Sequence, residues 1–272
     1  MLTTPSNSFS FVAFCLILPL LVLTAGTLSA QEITRGAWHR LADDLEIKRV
    51  VIKPETLFAP ELLFVRTNLK NYRVGVVRAE AFGTSGSSVK QLCQKSKARL
   101  GINASFFDER GRALGLIVSQ GNLFQGIHSG GETLTGVFQL TRAGVGIVQR
   151  REFRPEAAIE AVQAGPRLVT AGNAVRGLKN ISSYSRRSGV CIDAKSRLLF
   201  YVSSGLVGIG IGQLQGVLLD PQIGCVNALN LDGGGSAQFF LSDRLPNAVP
   251  DIKEIDIQGS ENIPVMLGLF MK

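Results

Sequence analysis

Asn230-Leu231-Asp232-Gly233-Gly234-Gly235-Ser236 lies between an apolar run, Cys225 to Leu229, and a strand-like run, Ala237-Gln238-Phe239-Phe240-Leu241. Asp-Gly between two apolar runs is the commonest short signal for a β-hairpin, and that is the simplest reading here. Three consecutive glycines exceed what such a turn requires, because each adds unfolded-state entropy that folding must overcome. The excess points to a backbone that something approaches closely. A carboxylate ending a buried strand, followed by glycine N–H groups that can form an anion nest at Gly233, Gly234 and Gly235, suits a reaction on an anionic substrate.

The flanking chain reads as short strands with few helices. A helix is expected from about Gly210 to Leu219, with Leu214, Val217 and Leu218 on its packing side. Gly189 to Asp193 and Leu198 to Val202 read as strands paired about Ala194-Lys195-Ser196. Arg186-Arg187 stands at the mouth of the first of these: either a phosphate ligand, since a guanidinium forks onto phosphate oxygens, or an exposed pair on a loop. Ala161 to Val169 reads as one apolar strand bent at Gly165-Pro166, where Gln163 and Arg167 either face a cleft or simply flank a bend. Gly136–Leu140 and Val145–Val148 form an expected hairpin, and Leu114–Val118 a short strand. Asn103 is polar inside the apolar Gly101 to Phe107 segment, so its amide must bond either substrate hydroxyls or a neighbouring loop. A helix over Val89–Leu100 starts at the capping box Ser88-Val89-Lys90-Gln91 and closes at Gly101. Leu45–Ile52, Glu61–Arg66 and Tyr72–Val77 complete the strands. Many short strands, two covering helices and no βαβ alternation predict an α+β fold, with mixed or mainly antiparallel sheets covered by a few helices.

At 272 residues, 45% hydrophobic and 18% charged, the chain can bury a full core, and no linker-like segment divides residues 31–272. Residues 1–30 stand apart. Phe9 to Leu23 is almost unbroken apolar sequence, no charge precedes Glu32, and Leu28-Ser29-Ala30 ends in a small residue. This reads as a secretory signal peptide, with membrane anchoring through residues 9–28 as the alternative. Either way the remainder is expected outside the cytoplasm, periplasmic or extracellular. Its formal charge of +8 fits an anionic glycan partner. Nucleic acid fits poorly, because the basic residues are scattered and no reader motif occurs. Past the leader, Cys93, Cys191 and Cys225 are no disulfide framework; one bridge, such as Cys191 to Cys225, or buried free thiols are both compatible with them. His39 and His128 are the only histidines, and no Cys or His pair has metal-ligand spacing, so no metal or other cofactor is expected.

In order along the chain, Asn103-Ala104-Ser105-Phe106-Phe107, Gly115-Leu116, Gln163-Ala164-Gly165-Pro166-Arg167-Leu168-Val169, Arg187-Ser188-Gly189-Val190-Cys191-Ile192-Asp193 and Asn227 to Ser236 resemble the phosphodiester glycosidase family. The resemblance covers about residues 95–270. Ser188-Gly189 departs from a commoner Thr-Ala pairing, and Ala104 or Ser105 stands where the family often has glycine. The resemblance implies hydrolysis of the bond between a sugar's anomeric carbon and a phosphodiester. Asp232 is then the essential carboxylate, stabilising an oxocarbenium-like centre or activating water. Asp193 is the candidate second carboxylate, or else a structural residue before its turn. Asn103 and Gln163 would orient sugar hydroxyls, while Arg187 and the Gly233–Gly235 amides would hold phosphate. A phosphomonoester, with a second pKa of about 6, leaves more readily than an alkoxide, so one carboxylate can suffice. The competing class is a noncatalytic module that binds an anionic envelope glycan through the same cleft. A general phosphodiesterase would need clustered metal ligands, which the near absence of histidine disfavours.

Overall fold

The computed structural model describes Met1 and residues 33–52, 60–205 and 207–272. Apart from Met1, the leader reading of residues 1–30 and the anchor reading of residues 9–28 fall outside the described residues. Gln31–Lys272 forms one compact unit.

The unit is built around two strands that are apolar on both faces. Glu61–Thr67 and Leu198–Ser204 pair antiparallel, with Leu63 opposite Val202 and Val65 opposite Phe200. Side chains alternate across a strand. Leu63, Val65, Phe200 and Val202 therefore enter one core, while Leu62, Phe64, Leu199 and Tyr201 enter a second on the other face. These strands sit in a nine-stranded sheet that also contains Leu45–Ile52, Ser188–Asp193, Cys225–Asn230 and Arg167–Thr170. A five-stranded sheet runs through Asn122–Gln125, Ile117–Ser119, Glu160–Ala164, Gly136–Thr141 and Gly144–Gln149. A third comprises Ile255–Ile257, Phe239–Leu241, Leu100–Asn103, Val265–Met271 and Tyr72–Arg78. The larger core draws from all three sheets, with Phe138 and Val162 from the second meeting Ile102 and Leu267 from the third.

The expected α+β class is overturned. Among the described residues only two α-helices occur, α1 (Val89–Ser96) and α2 (Ile211–Leu219), against twenty-one strands whose pairings are all antiparallel. The protein is largely β, and its main core is sheet against sheet. α1 packs Val89, Leu92 and Cys93 against Val77, Phe240 and Met266, and α2 packs Leu214, Val217 and Leu218 beside Leu199 and Tyr201. α1 does begin at its Ser88 capping box, but it stops at Ser96, because Lys97 takes the left-handed conformation at φ 65°. Leu100–Asn103 becomes a central strand of the third sheet, between Phe239–Leu241 and Val265–Met271.

The hairpin reading of the glycine stretch fails as well. Cys225–Asn230 pairs within the nine-stranded sheet, whereas Phe239–Leu241 pairs with Leu100–Asn103 and Ile255–Ile257 in the third. Leu231 to Gln238 is therefore a crossing from one sheet to another, carrying a short 3-10 turn at Gly234–Ser236. Gly165-Pro166 plays the same part elsewhere. The single bent strand expected over Ala161–Val169 is two strands, Glu160–Ala164 in the second sheet and Arg167–Thr170 in the first.

Cys191 and Cys225 are disulfide-bonded, their Cα atoms 5.8 Å apart on neighbouring strands, and Cys93 is free and buried. Gly189, one of the departures from the family pattern, has a local cause. A Cβ there would lie 2.0 Å from the Tyr201 hydroxyl and 2.5 Å from the Leu229 carbonyl oxygen, two groups that are hydrogen-bonded to each other. Gly189→Ala is expected to cost about 3 kcal/mol through overpacking in an interior that has no slack. A lowered midpoint in urea unfolding, at an unchanged slope, checks it.

Candidate active site

Asp232 is fixed by its backbone before its carboxylate is considered. Its carbonyl oxygen accepts hydrogen bonds from Asn103 Nδ2 at 2.7 Å and Ser188 Oγ at 2.9 Å, and its N–H donates to the Ala104 carbonyl at 3.3 Å. Asn103 and Ser188 are fully buried, and Asn103 Oδ1 also accepts the Gln238 N–H at 3.0 Å. Asn103 thus spends both ends of its amide on the crossing segment. Its polar position inside an apolar strand is explained by that loop, and it acts on Asp232 by positioning.

The carboxylate of Asp232 is half-buried. It accepts the Gly233 N–H at 3.0 Å; nearby Ser236, whose hydroxyl donates to Glu261 Oε2 at 2.5 Å, lowers its pKa, and the Glu261 charge raises it. Desolvation outweighs the hydrogen bonds and pushes its pKa up to about 6. A carboxylate tuned toward neutrality beside a cleft has the character of a general base.

The cleft beside it has a volume of about 740 Å³, and its wall includes Phe106, Arg150, Pro166, Arg187, Asn230 and Gly233. Arg187 is half-buried, donating Nε to the Ile209 carbonyl at 3.2 Å and one terminal nitrogen to the Ser183 carbonyl at 2.9 Å. Arg150 is held by the Gly130 and Leu134 carbonyls. Among the described residues neither guanidinium has a carboxylate partner. Burial depresses the pKa of Arg187 and of its neighbour Arg186, yet a guanidinium stays charged. Two fixed cations without counter-ions make this cleft an anion site in waiting. Asn230 adds an acceptor. It is 2% exposed and both amide hydrogens are used, on the Gly165 and Leu231 carbonyls, but its Oδ1 has no partner. A buried acceptor on a cleft wall suits a substrate hydroxyl.

Not every expected site residue gathers here. Asp193 ends the strand that Ser188 begins, about 17 Å away at the usual rise per residue. Its carboxylate accepts the Lys195 and Arg197 N–H groups and pairs with the Arg197 guanidinium at 2.7 Å, which holds the turn. The two carboxylates are not brought together. Gln163 is fully buried and saturated: it accepts from the Leu116 and His128 N–H groups and donates to the His128 and Leu134 carbonyls, all at 2.8–3.0 Å. It shapes the cleft by holding loops. The glycines answer chiefly to the protein itself. Gly234 has φ 59°, a Cβ on Gly233 would meet the Arg186 carbonyl at 2.8 Å, and one on Gly235 would meet Ser260 Oγ at 2.5 Å. The Gly233 N–H goes to Asp232 and the Gly234 N–H to the Arg186 carbonyl, so two of the three amides expected to form a nest are already committed. Arg150 and Glu261 were not legible as site residues, since each belongs to a segment without a motif of its own, and Asn230, though inside the glycine motif, is overshadowed there by the carboxylate and glycines that follow it.

The family model described as phosphodiester glycosidase matches residues 96–270, more than half of the chain. The chain belongs to the phosphodiester glycosidase family. Solved structures carry the same fold. The zebrafish N-acetylglucosamine-1-phosphodiester alpha-N-acetylglucosaminidase catalytic domain, auto-inhibited by its pro-peptide, superimposes with a TM-score of 0.64 at 19% identity, covering 89% of this chain and 88% of that one. A hypothetical protein from Synechocystis gives 0.61 at 15% identity over 85% and 62% of the two chains. A putative exported protein from Burkholderia pseudomallei gives 0.55 at 13%, over 79% and 75%. No curated protein matches in sequence. Family and fold together indicate glycosidase activity for this phosphodiester glycosidase domain.

The Asp232 carboxylate carries a stability cost whose sign follows from linkage. With a folded pKa of about 6 against about 3.9 unfolded, the native state binds more protons across that window. Stability therefore falls as pH rises from about 4 to about 6. Asp232→Asn, which stays neutral, is expected to be about 1–3 kcal/mol more stable than the parent at pH 7.5 and to lose that advantage near pH 4. Urea unfolding at both pH values checks the sign.

Proposed function

We propose that this protein is an exported glycosidase that hydrolyses the sugar–phosphate bond of a sugar-1-phosphodiester in an envelope or extracellular glycan. The observation that carries the reading is that one cleft wall includes Arg187, a fixed cation that has no carboxylate partner among the described residues, and Gly233, the residue that follows Asp232. The phosphodiester's negative charge pairs with Arg187 and Arg150, and Asn230 Oδ1 accepts a sugar hydroxyl. Asp232, ionised above pH 6, takes a proton from water as the water oxygen bonds to the anomeric carbon. The bond from that carbon to the bridging oxygen breaks, and its electron pair leaves with the phosphomonoester. The products are a free sugar and a phosphomonoester. A good leaving group lessens the need for an acid partner, which accords with Asp193 lying elsewhere. Export is supported by the uncharged apolar leader and by the Cys191–Cys225 bridge, a bond typical of oxidising compartments.

The test is release of sugar from a panel of sugar-1-phosphodiesters by the chain from Gln31 onward. Activity is expected to fall on the acid side with a midpoint near 6. Asp232→Asn is expected to lose at least about 100-fold in kcat, and Arg187→Lys about tenfold in kcat/KM. Hydrolysis in ¹⁸O-water should label the sugar; label in the phosphate, or full turnover by Asp232→Asn, would defeat the assignment. Binding of the same compounds without turnover would instead identify an anionic-glycan-binding module.

A further inference from the structure

A second cleft, about 490 Å³, opens where edge strands of the second and third sheets come beside α1. Arg73 and Arg78 reach it from the edge strand Tyr72–Arg78 of the third sheet, and Phe124 from the edge strand Asn122–Gln125 of the second. Lys95 comes from the last turn of α1 and Lys97 from the residue that ends it. No residue lines both this cleft and the main one.

The cations here are held ready. The guanidinium of Arg73 lies 4.4 Å from the centroid of the Phe270 ring, and that of Arg78 lies 3.4 Å from the centroid of Phe124. A guanidinium seated over a ring has little further freedom to lose on binding, and its N–H edges stay open to oxygen. Arg78 also meets the exposed carboxylate of Glu80 at 3.2 Å, whereas Arg73, Lys95 and Lys97 have no carboxylate partner among the described residues. The one acidic residue on the wall, Glu160, is buried and committed: its carboxylate accepts the Val76 N–H at 2.9 Å and the Gln120 N–H at 3.2 Å. Gly75 leaves the middle of its strand bare, and a Cβ there would stand 3.3 Å from the Phe270 ring and 3.7 Å from Arg73. Solvation accounts for a lone surface lysine. It does not account for Arg73, Arg78, Lys95 and Lys97 gathered on one concave wall beside an exposed ring.

This cleft and the main one are joined along the chain. Phe124 lines the first and Gly131 the second, a reach of at most about 25 Å even if fully extended. Leu123, Phe124 and Ile127 are exposed on that stretch, and apolar surface of this kind packs against the C–H faces of sugars. We propose that the second cleft holds a further phosphate of the same glycan whose sugar is cut in the main cleft, so that the substrate is a chain of repeated phosphodiesters spanning two anion sites. The proposal rests on the glycosidase reading for the reaction, while binding at the second cleft is measured apart from it.

Calorimetric titration tests it in the Asp232→Asn background, which leaves substrate uncut. The probes are a synthetic oligomer of phosphodiester-linked hexoses, a single methyl hexose-1-phosphodiester and inorganic polyphosphate. The oligomer is expected to bind at least about tenfold more tightly than the single diester, because its second contact is intramolecular. Arg73→Gln together with Lys95→Gln should remove most of that advantage and leave the affinity for the single diester as it was, which also shows that the variant is folded. Lys70→Gln together with Lys253→Gln removes the same charge from exposed positions off both clefts and should keep the advantage. Equal affinities for oligomer and single diester, or equal losses in the two double variants, overturn the second site. Polyphosphate that binds as tightly as the oligomer, and is weakened alike by Arg73→Gln with Lys95→Gln, overturns the glycan as its occupant. Sugar release by the parent is followed separately: an oligomer held at both clefts and never cut defeats the glycosidase reading and leaves the second site standing.

Discussion

The carbonyl oxygen of Asp232 is where the sheets are tied. Ser188 reaches it from the nine-stranded sheet and Asn103 from the third, so two hydrogen bonds from buried side chains converge on one backbone atom at the crossing. An unsatisfied buried amide or hydroxyl costs about 1–3 kcal/mol, so neither donor can drift without penalty. The tie fixes the direction in which the glycine turn leaves, and with it the sides on which Arg187 and Glu261 meet that turn. Cleft and carboxylate are both consequences of where that oxygen sits.

The same economy accounts for the polar residues buried near the site. Asn103 and Gln163 invite reading as substrate ligands, yet each is consumed by backbone groups of segments that leave the sheets. A chain that changes sheets must satisfy its N–H and C=O groups away from any ladder, and side-chain amides do this with one residue for several groups. Unspent capacity on the cleft wall is left to groups whose partners run out: Arg150, Arg187 and the Oδ1 of Asn230. Unspent bonding potential distinguishes the two kinds of residue where residue type does not.

This explains what could be read in advance. Strand positions from Leu45 to Ile52, Gly136 to Val148 and Gly189 to Val202 were legible because alternation and turn residues are local signals. The family was legible from motifs in order. The class of the fold was not, because two short helices give as clear a local pattern as long ones while nothing in a window of residues says that sheets pack on one another. Asp-Gly-Gly-Gly misled for a related reason: a turn and a crossing between sheets demand the same backbone freedom, and only the partners of Phe239–Leu241 tell them apart. Asp193 looked like Asp232 in sequence, and the length of one strand separates them.

The strands Ser188–Asp193 and Cys225–Asn230 lie side by side although no hairpin turn joins them. The Cys191–Cys225 bridge fastens them toward the end remote from Asp232. A slip of one residue between antiparallel strands would exchange the faces of every side chain on them, turning Asn230 away from the cleft and Ser188 away from the crossing. A covalent bond forbids that slip outright. The bridge therefore works as a register lock as much as a stabilising link, letting a sheet assembled from distant parts of the chain present the end that leads into Asp232 in a single alignment.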